Sequence, residues 1–177
     1  MERPEPKRHD VRGHWFHGSC WAIFDLHFSA LAIYREAVSN KAERIAGMIG
    51  HGSAAGLRAF YEGYFDCFNR GQFYEAHDVL EQLWLRDRKG ANGPFYKGLI
   101  QLAGAFVHLQ KNRLRPAAAL FKLAGANLGR YAGTHERLAT PSVLALIEHW
   151  LVLLEGSDFQ SNPLRSEPVP TLWLEPI

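Results

Sequence analysis

The stretch Pro94–Lys111, PFYKGLIQLAGAFVHLQK, decides the fold. Leu99, Ile100, Leu102, Ala103, Phe106, Val107 and Leu109 leave almost no sector of a 3.6-residue helix polar. A helix that is apolar nearly all round must be surrounded by other elements, so this one is predicted to be the centre of a bundle. Pro94 suits its first turn, where a missing N–H costs no hydrogen bond. The segment before it, Asp87 to Gly93 (DRKGANG), reads as a loop.

Outward from that centre the chain reads as consecutive helices. Upstream, residues 72–86 put Phe73, Ala76, Leu80, Leu83 and Trp84 on one face. Asn69-Arg70-Gly71 ends the helix before it, with Gly71 suited to the left-handed position past a helix end. That first helix is capped by Ser53 and carries Leu57, Phe60, Tyr61, Tyr64 and Phe68 at spacings of three and four. So short a connection demands an antiparallel hairpin or a sharp corner. Downstream, Pro116 opens a fourth helix with Ala117, Leu120, Phe121, Ala124 and Leu128 inward. Thr140-Pro141 opens a fifth, capped by the threonine and running to about Glu155, with Leu144, Ile147, Leu151 and Leu154 inward. The tail from Ser157 holds Pro163, Pro168, Pro170 and Pro176 and cannot be helical. Leu172, Trp173 and Leu174 suggest that it docks on the bundle. No segment alternates apolar and polar residues as a half-buried strand would. The fold class is all-α, a compact bundle of about five helices.

Residues 1–52 are expected to form a tail and an extra helix, 53–156 the helical core, and 157–177 the proline-rich extension. The extra helix is predicted near residues 21–38 from the spacing of Trp21, Phe24, Phe28, Leu31 and Ala32. The surrounding apolar run, Trp15 to Tyr34, contains His17, Asp25 and His27 and reads as non-membrane. The methionines, Met1 and Met48, leave either as the translation start.

At 177 residues the chain is long enough to bury a core without staples. The net charge of +2 gives no strong signal of a nucleic-acid partner. Cys20 and Cys67 form no metal or redox motif and fit a reducing, cytoplasmic setting. Lys111, Arg113, Arg115, Lys122 and Arg130 read as a solvated helix face. A Gly-rich phosphate loop, a GxSxG elbow and a CxxC pair are all missing from the sequence, which removes several enzyme classes.

Four polar residues break the apolar patterns. His77 and Glu81 share a helix face at i, i+4, on the border of the apolar stripe and beside Trp84. Gln101 and His108 are nearly eclipsed on the central helix, among Gly98, Gly104 and Ala105. Buried polar groups must find partners or each costs about 1–3 kcal/mol. The economical expectation is that His77 and Glu81 meet Gln101 and His108 across a helix–helix contact. Such a cluster can be a structural network fixing helix register. It can also be a divalent metal site of His77, Glu81 and His108, or an acid/base pair in which Glu81 tunes His77.

The run Phe68 to Trp84, FNRGQFYEAHDVLEQLW, resembles the signature FNxGxFxEAHExLExxW. Gly98–Ala103 (GLIQLA) followed by His108 resembles the second block of the same family, a small prokaryotic helical one catalogued as domain of unknown function 309. The likeness spans roughly Gly56 to Tyr131 and implies an all-helical fold, with no activity attached to the name. Asp78 stands where that family has Glu, Lys97 where it commonly has Gln, and Lys111-Asn112 where it has Gly-Asn. The opening Gly71–Ala76 is also similar to the start of tetratricopeptide helices. Ala76 and Ala118, however, stand too far apart for a repeat of about 34 residues. A single groove for a partner helix or peptide, lined by Tyr61, Tyr64 and Tyr74, is the expectation that this likeness leaves.

Overall fold

The computed structural model describes residues 54–176. Five α-helices follow one another: α1 (Ala54–Asn69), α2 (Phe73–Arg86), α3 (Gly93–Gln110), α4 (Leu114–Leu128) and α5 (Thr140–Gly156). Between α4 and α5 lies a minimal hairpin, β1 (Thr134–His135) and β2 (Leu138–Ala139), and a 3₁₀ turn at Pro163–Arg165 follows α5. The fold is all-α as expected. The Ser53 cap and the helix expected at 21–38 lie outside the described residues. Among those described, no helix is long and apolar enough to cross a membrane.

The helix ends are built from local chemistry. Gly71 adopts φ +71°, its N–H bonds to Phe68 O at 2.9 Å, and Gln72 N–H bonds to Cys67 O at 3.0 Å. This pair of bonds closes α1 and turns the chain straight into α2. The same device ends α3, where Asn112 takes the left-handed position at φ 55° and Arg113 N–H reaches back to His108 O at 2.8 Å. Asn tolerates that conformation better than other non-glycine residues. α4 begins two residues before Pro116; its first i→i−4 bond is Ala117 N–H to Arg113 O. Pro116 therefore still occupies a position whose N–H would be unbonded. At α5 the cap position is Ala139 rather than Thr140. Thr140 is the first helical residue and is fully buried.

The central placement of α3 stands. Leu99, Leu102 and Phe106 are completely buried. Phe106 is an aromatic hub, with ring centroids 5.4 Å from Phe68, 4.7 Å from Phe73, 5.2 Å from Phe121 and 4.9 Å from Trp150. One side chain thus touches α1, α2, α4 and α5. Close approach of α4 is made possible by Gly98, where a Cβ would stand 2.7 Å from Leu128 Cγ.

The tail docks, with one correction. Asn69 at the end of α1 clasps Leu172, accepting from its N–H at 2.7 Å and donating to its carbonyl at 2.9 Å. Leu174 bridges to Leu138, but Trp173 is 74% exposed. In extended backbone successive side chains point to opposite sides, so burying Leu172 turns Trp173 outward.

Candidate functional site

The stripe of α2 that faces the core is Phe73, Ala76, Val79, Leu80 and Leu83. His77, Asp78 and Glu81 border it, all of them half-buried. Positions i, i+1 and i+4 form a compact triangle on a helix surface, because the second is three residues from the third and the first is four. Here the triangle converges: one ligand atom from each of His77, Asp78 and Glu81 lies within 4.8 Å of the others. His77 Nδ1 is 3.2 Å from Asp78 Oδ1, and the imidazole lies nearly parallel to the Tyr74 ring, 6.5 Å between centroids.

Across the helix contact, His77 Cδ2 lies 4.0 Å from where a Cβ on Gly104 would stand. His77 therefore does face α3, at the glycine between Gln101 and His108. Gln101, expected to meet His77 and Glu81, is bonded to α4. Gln101 Oε1 accepts from Asn127 Nδ2 of α4 at 2.8 Å. Leu120 of α4 approaches Gly104, with Cδ1 3.2 Å from the same Cβ position. The small-residue stripe of α3 is thus shared, α4 taking the Gly98–Gln101 edge and His77 reaching the Gly104 edge. At about 100° per residue, Gly98, Gln101, Gly104, Ala105 and His108 cover a sector of roughly 120°, wide enough for two neighbouring helices.

Two further expectations change. The three-ligand group contains Asp78 in place of His108, which lies half-buried one turn along α3 outside that group. The carboxylate bonded to the His77 ring is that of Asp78, rather than Glu81 tuning it alone. The physical reason is reach: Asp78 belongs to the same helical turn as His77, whereas His108 must cross the α2–α3 contact. Asp78 was visible in the sequence only as a shorter carboxylate where the similar family has Glu. Its place between His77 and Glu81 is the signal that would have found it.

The aromatic groove also dissolves. Tyr61 and Tyr64 are core residues: Tyr64 is fully buried and its phenol donates to Leu99 O at 2.9 Å, while Tyr61 donates to Glu136 O at 2.9 Å. Burial pushes both phenols well above the usual tyrosine range, so both stay neutral donors. Tyr74 alone of the three remains partly accessible. The basic residues of α4 behave as a solvated face, with Lys122 paired to Glu155 at 2.8 Å and Arg115 to Asp158 at 3.6 Å.

One imidazole nitrogen and two carboxylates form a donor set suited to a first-row divalent cation. Around one ion at about 2.1 Å, ligand atoms stand about 3–3.5 Å apart, so rotamer adjustments of about an ångström bring the three together. Half-exposure leaves the remaining coordination positions to solvent. No curated protein and no solved structure matches the chain. Residues 61–120 match the family model described as a domain of unknown function, DUF309, and that match covers both blocks carrying the resemblance.

Proposed function

We propose that the chain is a divalent-cation-binding helical protein in which His77, Asp78 and Glu81 are the protein ligands. The observation that carries this reading is the convergence of the three donor atoms within 4.8 Å on a half-buried helix turn. His77 supplies the nitrogen, Glu81 a carboxylate from the next turn, and Asp78 a carboxylate that also fixes the imidazole orientation. The glycine opposite, Gly104, keeps the α3 side of the site free of a side chain. A cytoplasmic location goes with this reading, since Cys20 and Cys67 sit in no metal or redox motif, as suits a reducing compartment. The binding of a partner helix or peptide through tyrosines loses its support, because Tyr61 and Tyr64 are buried.

The test is metal analysis of untagged protein, stripped with chelator and reloaded separately with Zn²⁺ and Mn²⁺. One equivalent is expected to be retained by the wild type and by His108→Ala, and lost in His77→Ala and Asp78→Asn. Circular dichroism of each variant checks that the helices are intact. Retention of metal by both His77→Ala and Asp78→Asn, or no retention by the wild type, would overturn the assignment.

A further inference from the structure

On the side of α2 away from His77 the molecule has a cleft of about 730 Å³, bounded by the start of α1, the end of α2 and the turn between β1 and β2. Clefts of about 300–1,000 Å³ are the size that takes small organic ligands. Its lining carries three arginines, Arg58, Arg86 and Arg137, and three carboxylates, Glu62, Asp87 and Glu136. The formal balance hides an unequal distribution. Glu62 is clamped between two guanidiniums, 2.9 Å from Arg58 and 3.2 Å from Arg137. Its hydrogen bond from Arg58 holds its carboxyl below the usual range, so it stays ionised and engaged. Glu136 accepts from Asn92 at 2.6 Å, and Asp87 lies folded against Gly90, where a Cβ would overlap it. Arg86 stands 5.3 Å over the Phe60 ring and, among the described residues, forms an ion pair with none of them.

The turn that closes the cleft is conformationally costly. β1 and β2 pair Thr134 with Ala139 and His135 with Leu138, leaving Glu136-Arg137 as a two-residue loop. Both residues have positive φ, 47° and 66°. Such hairpin turns favour Asn-Gly, and each side chain in that conformation costs about 1–2 kcal/mol. The surroundings hold it in place: Tyr61 donates to Glu136 O, while Arg137 Nε donates to Glu175 O at 2.6 Å. Strain retained under so many bonds marks positions whose side chains must be aimed, and both line the cleft. At the back, the Tyr61 and Tyr96 rings lie 5.9 Å apart, and Tyr96 accepts from Asn92 at 3.4 Å while keeping its own proton to donate.

We propose that this cleft binds a small organic anion, its carboxylate or phosphate held by Arg86 and by the outer faces of Arg58 and Arg137, its apolar body against Tyr96 and Leu83. Arg58 and Arg137 share the Glu62 carboxylate while Arg86 pairs with no described carboxylate, and planar forks of this kind recognise carboxylate and phosphate oxygens in pairs.

The test is a titration of the full ¹⁵N-labelled chain with phenyl phosphate, followed by amide shifts, with inorganic phosphate and phenol as separate probes of charge and ring. Saturable shifts are expected to concentrate on Tyr61–Glu62, Arg86 and Glu136–Arg137, with phenyl phosphate binding more tightly than either part. Arg86→Gln should weaken binding at least tenfold. Glu62→Gln, which releases two guanidiniums from their carboxylate, should strengthen it several-fold, and His77→Ala should leave it unchanged. Unperturbed amides outside the cleft report that each variant is folded. Shifts that do not saturate, that map elsewhere, or that survive Arg86→Gln would overturn the proposal, as would weakening in Glu62→Gln.

Discussion

Replacing Phe106 by Ala removes a ring that touches α1, α2, α4 and α5 together. The side chain is fully buried, so the transfer term alone is about 1.5–3 kcal/mol. Four aromatic neighbours with centroids 4.7–5.4 Å away lose their partner. Aromatic pairs contribute about 0.5–1.5 kcal/mol each beyond area, though four contacts to one ring do not add independently. Five helices meet at the void, so the site collapses only in part, and about 50 Å³ left open adds roughly 1 kcal/mol. The expected loss is about 4 kcal/mol. In urea, with a slope of about 2 kcal/mol/M, the unfolding midpoint by circular dichroism should fall by about 2 M at unchanged slope. Should the variant be too unstable to measure, Phe106→Leu keeps most of the volume and should lose about 1–1.5 kcal/mol. Leu123→Ala, at a side chain 50% exposed on α4, is the reference and should shift stability by no more than about 0.5 kcal/mol. A Phe106→Ala loss below about 2 kcal/mol would refute the reasoning that α3 organises the bundle through this ring.

Two further substitutions test the packing around α3 and the start of α5. Gly98→Ala would normally favour a helix by about 1 kcal/mol, but here the new Cβ would stand 2.7 Å from Leu128 Cγ and 3.3 Å from Ala124 O. Overpacking should win, lowering Tm by about 2–4 °C or more, and a rise in Tm would show that α4 yields freely. Thr140→Val should stabilise by about 1 kcal/mol in urea unfolding, because Thr140 Oγ1 is buried with no hydrogen-bond partner among the described residues. A loss instead would show that the hydroxyl is satisfied.

The parts of the fold legible in the sequence are those where one physical requirement acts alone. Pro94–Lys111 could only be surrounded, since almost no sector of it is polar, and Gly71 could end α1 because the turn needs a left-handed residue. The start of α4 was less legible: a proline is tolerated anywhere in the unbonded first turn, so Pro116 bounds the helix without fixing its first residue. The hairpin left no pattern, because two-residue strands are too short to alternate and Glu136-Arg137 lacks the usual turn chemistry. At the candidate site, His77 and Glu81 were legible from their border position. Which of the polar groups on α3 would join them was not, because the stripe is wider than one helix contact and α4 claims Gln101. Tyr61 and Tyr64 misled for a related reason: a phenol bonded to a backbone carbonyl buries as readily as Phe, and a sequence does not show the carbonyl.

Helix α2 carries one candidate site on each side, and its geometry says how they should relate. Arg86 is nine residues beyond His77, which at about 100° per residue is half a turn away and about 13 Å along the axis. The core-facing residues Ala76, Leu80 and Leu83 form the stripe between those two sides. Physiological salt screens exposed charges over about 8 Å, so a cation at His77 and an anion at Arg86 should barely sense one another. Binding at the two sites should therefore be additive, with the affinity for phenyl phosphate the same within about twofold whether or not Zn²⁺ is present. A larger coupling would have to travel through the packing of α2 on α3. Gly104 faces His77 across that contact, so Gly104→Ala is the variant in which such coupling should change first.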